Sequence, residues 1–313
     1  MESLNRMALG LVEEAVEFAD ELGIAAYELD DGATVLDFGH EATGGIEAGL
    51  LLAEIQTAGL ATVETRLGAV ADTPRTHVEL TTDRPALALL CAGKAGWELS
   101  VEGFEGLGSG PARALVAEED AFRRIGYHES AEFATLAVEA ERLPGDAVAE
   151  HVAELAGVEP TAVFLPAFPT GSLVGSVTVA ARAAELAVFR LSELGYDPLD
   201  VRSASASAPV APVSRTEGTA IGRTNDALAY GGRVHLTVAE GFDRFEELPS
   251  TAATEYGTPL GEVFEERDWE VADVPAAVFA PARVTVDVID GSTHVLGGRD
   301  EALLAESFDL PVP

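Results

Sequence analysis

The chain has 313 residues and a mass of 32.6 kDa, with 54 acidic against 19 basic residues and a formal net charge of −35. Nucleic-acid backbones and anionic lipid surfaces are bound through clusters of lysine and arginine, so this composition argues against both as partners. The hydrophobic fraction of 47% is too high for a disordered chain and predicts a folded protein with a sizeable core.

The acidic residues are spread along the whole chain rather than gathered in a tail, and Lys94 is the only lysine. At about 1 M ionic strength the Debye length is roughly 3 Å, so repulsion among these charges is screened in concentrated salt. A foldable chain with evenly scattered acid and almost no lysine therefore indicates a protein from an extreme halophile.

In chain order, the sequence alternates between helical and extended patterns. Residues 26–29 and 34–38 flank Asp30-Asp31-Gly32 and predict a β-hairpin. The Ala/Ser/Pro segment 202–213 is predicted to be extended and loop-like, because each proline disfavours helix in the residue before it. Further strands are predicted at 162–168, 234–239 and 283–289. Helices are predicted at 3–22, 86–95, 144–156, 172–194, 259–267 and 301–308.

This mixture of elements predicts an α/β or α+β fold. The sequence has no internal repeat, linker or low-complexity tract, so we treat residues 1–313 as a single catalytic unit. Two lobes are compatible with the pattern, but the sequence places no boundary between them. We expect a cytoplasmic protein, because the N-terminus lacks a signal-peptide pattern and the most apolar segment contains Arg182, Glu185 and Arg190.

The common catalytic spacings are missing from the sequence. Cys91 is the sole cysteine, and the six histidines show neither His-x-His nor His-Glu-x-x-His, so only a metal site assembled from distant residues stays open. The segment Gly106-Leu-Gly-Ser-Gly-Pro111 matches neither the dinucleotide fingerprint nor the P-loop. It predicts either a tight turn before a helix at Ala112 or a nest of backbone N–H groups for an anion. The nucleophile elbow of serine hydrolases is also missing.

The strongest chemical signal is a charged pair inside the most apolar predicted helix. Arg182 and Glu185 stand among small and apolar residues, and their spacing places them on one helix face. Buried charges are costly unless they are paired, and even a paired set is often no more stable than apolar residues. The pair is therefore either an ion pair that fixes the register of a packed helix or a carboxylate general base tuned by its arginine.

Two weaker signals involve Glu47 and Lys94. Glycines at 44, 45 and 49 permit close approach of the backbone to another helix or to a ligand, and Glu47 would share a helical face with Glu54. Glu47 is then either a ligand contact or ordinary acidic surface. The surviving Lys94 predicts a compact ammonium that contacts a ligand oxygen, with chance survival as the alternative.

Ten short stretches, in this order along the chain, resemble the archaeal methenyltetrahydromethanopterin cyclohydrolase family. Each stretch is modest alone, but the ordered set covers nearly the whole chain and is highly specific. The stretches are Gly44-Gly-Ile-Glu-Ala-Gly-Leu50, Gly59-Leu-Ala-Thr-Val-Glu64, Lys94-Ala-Gly-Trp97, Gly108-Ser-Gly-Pro-Ala-Arg-Ala114, Ser172-Leu-Val-Gly-Ser176, Arg182-x-x-Glu185, Thr224-Asn-Asp226, Tyr230-Gly-Gly232, Glu247-Leu-Pro-Ser250 and Phe279-Ala-Pro281.

The resemblance implies reversible hydration of a 5,10-methenyl-tetrahydropterin to the 5-formyl compound, without a redox cofactor or a metal. It implies that Glu185 handles the proton of the added water and that Arg182 holds Glu185 and the water. It also implies an α/β fold with a ligand cleft between two parts of the chain, and a homo-oligomer, specifically a trimer. The implied substrate-binding residues are Lys94, Glu47, Ser109, Arg113 and Phe279.

Three alternatives stay open at the level of sequence. A halophilic composition points to a habitat held mostly by non-methanogens, so the substrate could be a methenyl-tetrahydrofolate. A methylene-tetrahydropterin dehydrogenase with cyclohydrolase activity would need a nicotinamide site, for which no fingerprint is visible. A non-catalytic pterin-binding protein would keep the pocket but would not need a buried Arg/Glu pair.

Overall fold

The computed structural model describes residues 3–267, 269 and 274–311. The chain forms two compact units, each assembled from two separate stretches of sequence. Unit 1 comprises the described parts of Met1–Thr62 and Leu87–Thr178, and unit 2 comprises Val63–Ala86 and the described parts of Val179–Pro313. The polypeptide therefore leaves the first unit, returns to it, and leaves it again. This organisation explains why the sequence shows no single boundary.

Unit 1 is built on a seven-stranded mixed sheet. Its strands are β1 Ala25–Glu28, β2 Thr34–Asp37, β5 Trp97–Val101, β6 Phe104–Ser109, β7 Ala134–Thr135, β8 Ala137–Glu139 and β9 Val163–Phe168. The order is β1-β2-β9-β8-β6-β5, with β7 beside β9. The central strand β9 runs parallel to β2, β7 and β8, whereas β1–β2, β5–β6 and β6–β8 are antiparallel.

Helices cover both faces of this sheet. Successive side chains of a strand point to opposite faces, so Val35 packs in one core and Leu36 in another. The first core includes one side of α6, and the second includes residues of α1 and α3. The helical elements are α1 Leu4–Glu17, α2 Ala19–Leu22, α3 Ile46–Gln56, the π-helix Ala86–Gly93, α4 Arg113–Val116, α5 Asp120–Ile125, α6 Asp146–Ala156 and α7 Leu173–Ala180.

Unit 2 is built on a six-stranded sheet with one covered face. Its strands are β3 Thr62–Val70, β4 Thr73–Thr82, β10 Val201–Pro209, β11 Arg233–Val238, β12 Arg283–Val288 and β13 Thr293–Gly297, in the order β13-β12-β11-β10-β4-β3. Its helices are α8 Ala183–Glu193, α9 Glu217–Gly231, α10 Leu260–Glu265 and α11 Glu301–Ser307. Helices α8 and α9 pack on β10, and the buried Val234 and Leu236 alternate with the more exposed Arg233 and His235. The alternation is typical of a sheet with one polar face.

Most of the predicted elements are confirmed. Ser3 caps α1 by accepting from the backbone N–H of Arg6, although the helix is interrupted at Phe18 before α2. The hairpin β1–β2 forms with the expected turn. Predicted strands and helices are also found at β9, β11, β12, α6, α10 and α11.

Three expectations about local structure need correction. The continuous helix 172–194 is two helices, because the N–H of Arg182 donates to Val179 O in a tighter turn between them. The helix predicted at 86–95 is a π-helix that ends at Gly93. Segment 202–213 is largely the strand β10, since Pro209 stands only at its last position and the alternating alanines fill the core side.

A buried carboxyl group ties three helices of unit 2 together. Asp226 of α9 accepts hydrogen bonds from Leu260 N, at 2.8 Å, and from Ser307 Oγ, at 2.6 Å. The first bond satisfies a free N–H at the start of α10, and the second reaches the last residue of α11. Burial raises the pKa of Asp226 to about 6, despite the two hydrogen bonds that lower it.

We expect the stability of Asp226→Asn, relative to wild type, to increase as the pH rises. The pKa of about 6 in the folded state lies above the unfolded value of about 3.9, so the stabilising protonation of Asp226 is complete below pH 4 and is lost above pH 6. Between pH 4 and pH 8 the free energy of unfolding of the variant should therefore rise by about 2–3 kcal/mol relative to that of wild type. Urea unfolding at constant high salt measures this difference, with the exposed Asp243→Asn as control. Parallel pH profiles for wild type and Asp226→Asn would contradict the assignment.

Candidate active site

The predicted pair Arg182 and Glu185 forms a two-point ion pair at the start of α8. Arg182 Nε lies 2.7 Å from Glu185 Oε2, and Nη2 lies 3.1 Å from Oε1. The side chain of Glu185 is 5% exposed, whereas that of Arg182 is 22% exposed. The carboxylate is thus desolvated and fixed in orientation, while the guanidinium reaches solvent.

Local backbone structure accounts for this geometry. Arg182 occupies the position before α8, and Glu185 lies in the first helical turn, where the N-terminal end of the helix favours a negative charge. Ala183, Ala184 and Val188 around them are buried. A carboxylate offers about four acceptor positions and Arg182 uses two, so Glu185 can still accept a hydrogen bond from a water. The arrangement can remove a proton from that water, as a general base does.

Unit 1 contains a second cluster of charges, in which Lys94 and Arg113 share one carboxylate. Lys94 Nζ lies 2.9 Å from Glu119 Oε2. Arg113 Nε and Nη2 lie 2.8 Å and 2.7 Å from Glu119 Oε1. Burial alone would raise the pKa of Glu119, but the charges and hydrogen bonds of Arg113 and Lys94 outweigh it and hold this pKa below its usual range.

Arg113 is an interior residue, only 1% exposed. Its Nη1 donates to Ala92 O at 3.0 Å, and Nη2 donates to Leu90 O at 3.1 Å. Both carbonyl groups belong to the π-helix Ala86–Gly93, whose last carbonyls lack intrahelical partners. Arg113 therefore caps the helix that leads directly into Lys94.

The other predicted site residues, Ser109, Glu47 and Phe279, each have surroundings of their own. Ser109 is buried and its Oγ accepts from Gln56 Nε2 at 2.9 Å. Glu47 is exposed in the first turn of α3. Phe279, in unit 2, is half-buried, with its ring centre 6.0 Å from that of Phe264. A role for these three residues in substrate binding stays a prediction.

The glycine-rich segment 106–111 does not form an anion-binding nest. Residues 106–109 belong to strand β6, and the backbone N–H of Gly110 donates to Ala92 O. The N–H of Ala112 donates to Thr135 O, so these groups are used within the protein. Gly110 has φ +114°, a conformation that glycine adopts without strain. The tight-turn interpretation is therefore the correct one.

Sequence reasoning missed Glu119, which joins Lys94 to Arg113. It lies in the acidic run Glu118-Glu119-Asp120, and nothing in that run distinguishes it from a solvated acid. Within the described ranges 3–267, 269 and 274–311, no three side chains of His, Cys, Asp or Glu are grouped as metal ligands. None of the helices in the described part of the chain has the length and apolar character that crossing a membrane requires.

A mixed α/β fold with a desolvated carboxylate fixed by an arginine is consistent with an enzyme that uses acid–base chemistry. The comparisons with known proteins agree with this class. The sequence matches the family described as Cyclohydrolase (MCH) over residues 3–308. The chain belongs to this family.

Several named relatives span the full length of the chain. A methenyltetrahydromethanopterin cyclohydrolase of Halobacterium salinarum is 60% identical over 99% of this chain and 100% of its own. Proteins of the same name from Methanocorpusculum labreanum and Methanothermobacter marburgensis are 39% and 38% identical, again over 99% of this chain and 100% of theirs. The resemblance read from the ten sequence stretches is thereby confirmed.

Proposed function

We propose that this protein hydrates 5,10-methenyl-tetrahydromethanopterin to the 5-formyl compound, in a reversible step of one-carbon metabolism. The observation that carries the proposal is the desolvated Glu185, held at both oxygens by Arg182. Membership of the Cyclohydrolase (MCH) family supplies the reaction class. Hydration changes no oxidation state, so we propose no redox cofactor. The methenyl cation is already electrophilic, so we also propose no metal.

In the proposed chemistry Glu185 transfers the proton and Arg182 holds the carboxylate in place. The methenyl carbon lies between two nitrogens in an amidinium-like cation and is electrophilic without further activation. When water forms a C–O bond to it, Glu185 takes one proton and the adduct becomes neutral. When the C–N10 bond then breaks, N10 gains a proton and the hydroxyl group loses one, which leaves the 5-formyl group. Glu185 finally releases its proton to solvent, and Arg182 keeps the carboxylate aligned throughout.

Methanopterin is favoured over folate as the pterin. The halophilic composition made folate a reasonable alternative, because it points away from methanogens. However, the relative from Halobacterium salinarum carries the same name as those from Methanocorpusculum labreanum and Methanothermobacter marburgensis. A halophilic composition is therefore no argument against a tetrahydromethanopterin substrate.

The direct test is an assay with both pterins in concentrated KCl. Loss of methenyl-pterin absorbance is followed with the tetrahydromethanopterin and tetrahydrofolate derivatives, against the uncatalysed rate in the same buffer. We expect faster turnover of the tetrahydromethanopterin derivative. Binding of either pterin without turnover would instead identify a pterin-binding protein, and a requirement for a nicotinamide nucleotide would identify a dehydrogenase.

We also propose a cytoplasmic homo-oligomer, specifically a trimer. The outer face of the unit 2 sheet supports assembly with further copies of this chain. On strands β4 and β10 to β13, the side chains of this face are largely Ser and Thr, and Arg233 and Arg283 balance Glu79 and Asp287. The chain as a whole is strongly acidic, so this neutral face can contact another copy with less repulsion than an acidic surface can.

Light scattering in concentrated KCl tests the assembly. We expect a mass three times 32.6 kDa for wild type. Ser205→Glu places a charge at the centre of the neutral face, where burial against another copy would be costly, and should shift the mass toward the monomer. Ser130→Glu, at an exposed site in unit 1, is the matched control. A monomeric wild type would contradict the proposed assembly, and an unchanged mass for Ser205→Glu would remove this face from it.

A further inference from the structure

Four arginines at the outer face of the unit 2 sheet have no role in the proposed reaction. In a chain with 54 acidic and 19 basic residues, such a group is conspicuous. Burial lowers the pKa of Arg233, and the positive charges of the other three lower it further, although Glu79 raises it. The four residues therefore lie near one another, and we call them the arginine cluster: Arg66 on β3, Arg233 on β11, Arg283 on β12 and Arg299 after β13.

Strand register places two members of the cluster side by side. Arg233 and Arg283 are direct partners in the parallel pair β11–β12, and we call them the central pair. Register partners share one face of a sheet, and neighbouring strands lie about 4.8 Å apart. Like charges in directly opposite positions are destabilising, so the central pair needs a negative charge close to it.

The carboxylates that balance the outer face as a whole are bound by other groups. Glu79 forms an ion pair with Arg66, and Asp287 Oδ2 lies 2.8 Å from His235 Nε2. Arg299 Nη2 lies 2.7 Å from a carboxylate oxygen of α11. For the central pair, the described part of the chain provides neither an ion pair nor a side-chain hydrogen bond, so two positive charges are left without a paired carboxylate.

A buried hydroxyl group lies on the same face, next to the central pair. Ser207 of β10 is the register partner of Arg233 on one side and of Glu79 on the other. Ser207 is only 8% exposed, and its Oγ has no hydrogen-bond partner among the residues that the structure describes. Buried polar groups are nearly always satisfied by protein, water or an ion. The Ser207 hydroxyl therefore marks a position at which a ligand can complete the hydrogen bonding.

The chemistry of these three side chains selects an oxyanion. A guanidinium presents pairs of N–H donors in one plane, and these match two oxygens of a sulfate or phosphate. The serine hydroxyl supplies one further donor. One dianion balances the two charges of the central pair, whereas a cation would be repelled.

We propose that Arg233, Arg283 and Ser207 bind a divalent tetrahedral oxyanion, such as sulfate or hydrogen phosphate, on the outer face of unit 2. Helix α8, which carries Glu185, packs on β10 from the covered face of the same sheet. The sheet thus separates the anion site from the catalytic pair, and the site does not depend on the proposed reaction.

The test is equilibrium dialysis of the full chain against radiolabelled sulfate in concentrated KCl. Wild type should bind one sulfate per chain with a Kd of about 1 mM or lower. Arg233→Gln and Arg283→Gln should each raise Kd about tenfold or more, because a charge-assisted hydrogen bond is lost. Ser207→Ala removes only a neutral hydrogen bond and should raise Kd about threefold.

Arg202→Gln is the matched control for the arginine variants. Arg202 is an exposed arginine of β10 that pairs with Asp200 at the surface, so its loss changes the net charge equally. Its Kd for sulfate should stay within about twofold of wild type. Thermal unfolding verifies the fold of each variant, and Ser207→Ala still tests the site if an arginine variant does not fold. Absence of saturable binding by wild type, or an equal loss of affinity in Arg202→Gln, would overturn the proposal.

His77 of β4 provides a second measurement at the same face. Burial lowers the pKa of His77, and the charges of Arg66, Arg233 and Arg299 lower it further, although the hydrogen bond to Arg75 O raises it. A bound dianion offsets these positive charges, so saturating sulfate should raise the pKa of His77. Titration of the imidazole signals by NMR measures the shift, and His77→Gln identifies the signal. An unchanged pKa at saturating sulfate would show that the anion binds elsewhere.

Competition during dialysis distinguishes the possible occupants of the site. Displacement of sulfate by inorganic phosphate is expected, and displacement by glycerol phosphate as well would show that the site also accepts a phosphate group on a larger molecule. Displacement by methenyl-pterin would place the cluster in the substrate site and overturn the proposal. If wild type binds no sulfate and Arg233→Gln has a lower mass in light scattering, an acidic group of another copy occupies the cluster instead.

Discussion

Glu185→Gln is expected to abolish hydration of the methenyl-pterin while leaving the fold intact. Glutamine has nearly the same shape and can still accept a hydrogen bond from Arg182, but it cannot take a proton from water. General bases contribute about 10²–10⁴-fold to a rate, so kcat should fall by that factor. Loss of methenyl-pterin absorbance measures the rate, and circular dichroism with thermal unfolding measures the fold.

The control for this variant is Glu193→Gln, an exposed glutamate near the end of the same helix α8. It should keep the wild-type rate. The result also separates the two interpretations of the buried pair. An ion pair that only fixes helix register would make Glu185→Gln less stable but equally active per folded molecule. A near-wild-type rate in Glu185→Gln would therefore refute the general-base role.

Arg113→Gln is expected to destabilise the protein by about 3–5 kcal/mol. The variant leaves the carbonyl of Leu90 without the donor from Arg113 and the carbonyl of Ala92 with the N–H of Gly110 alone, and it removes the closest cation from Glu119. Salt screens buried pairs much less than exposed ones, so the loss should persist in concentrated KCl. The free energy of unfolding from urea titration measures it.

Arg123→Gln provides a matched comparison within unit 1. Arg123 pairs with Asp120 on the surface, where both side chains are more than half exposed. Exposed pairs contribute about 0–1 kcal/mol, so this variant should be close to wild type. If both variants lose the same small amount, the buried network around Arg113 does not stabilise unit 1.

Local patterns were sufficient for much of the fold. The turn at Asp30-Asp31-Gly32 and the apolar run of β9 are local signals, and both elements form as predicted. Arg182 and Glu185 were recognisable because their apolar neighbours made two charges conspicuous. The pairing itself follows from helical spacing, which is also a local property.

Other features depend on contacts between distant residues and could not be read locally. Glu119 meets Lys94 across 25 positions of sequence, and only the fold brings them together. The turn at Arg182 contains neither glycine nor proline, so no residue marks the end of α7. In β10, the prolines suggested a loop although pairing with β4 and β11 on both sides makes it a strand.

The π-helix Ala86–Gly93 contains the one cysteine of the chain, Cys91. Cys91 lies fully buried in that helix, and burial raises the pKa of its thiol to about 12. Only the thiolate reacts with disulfide reagents, so the native chain resists labelling. Because this is the only cysteine, any labelling that does occur measures how often the segment before Lys94 opens. Cys91 is thus a native chemical probe of local opening next to Lys94, and no cysteine has to be introduced for the measurement.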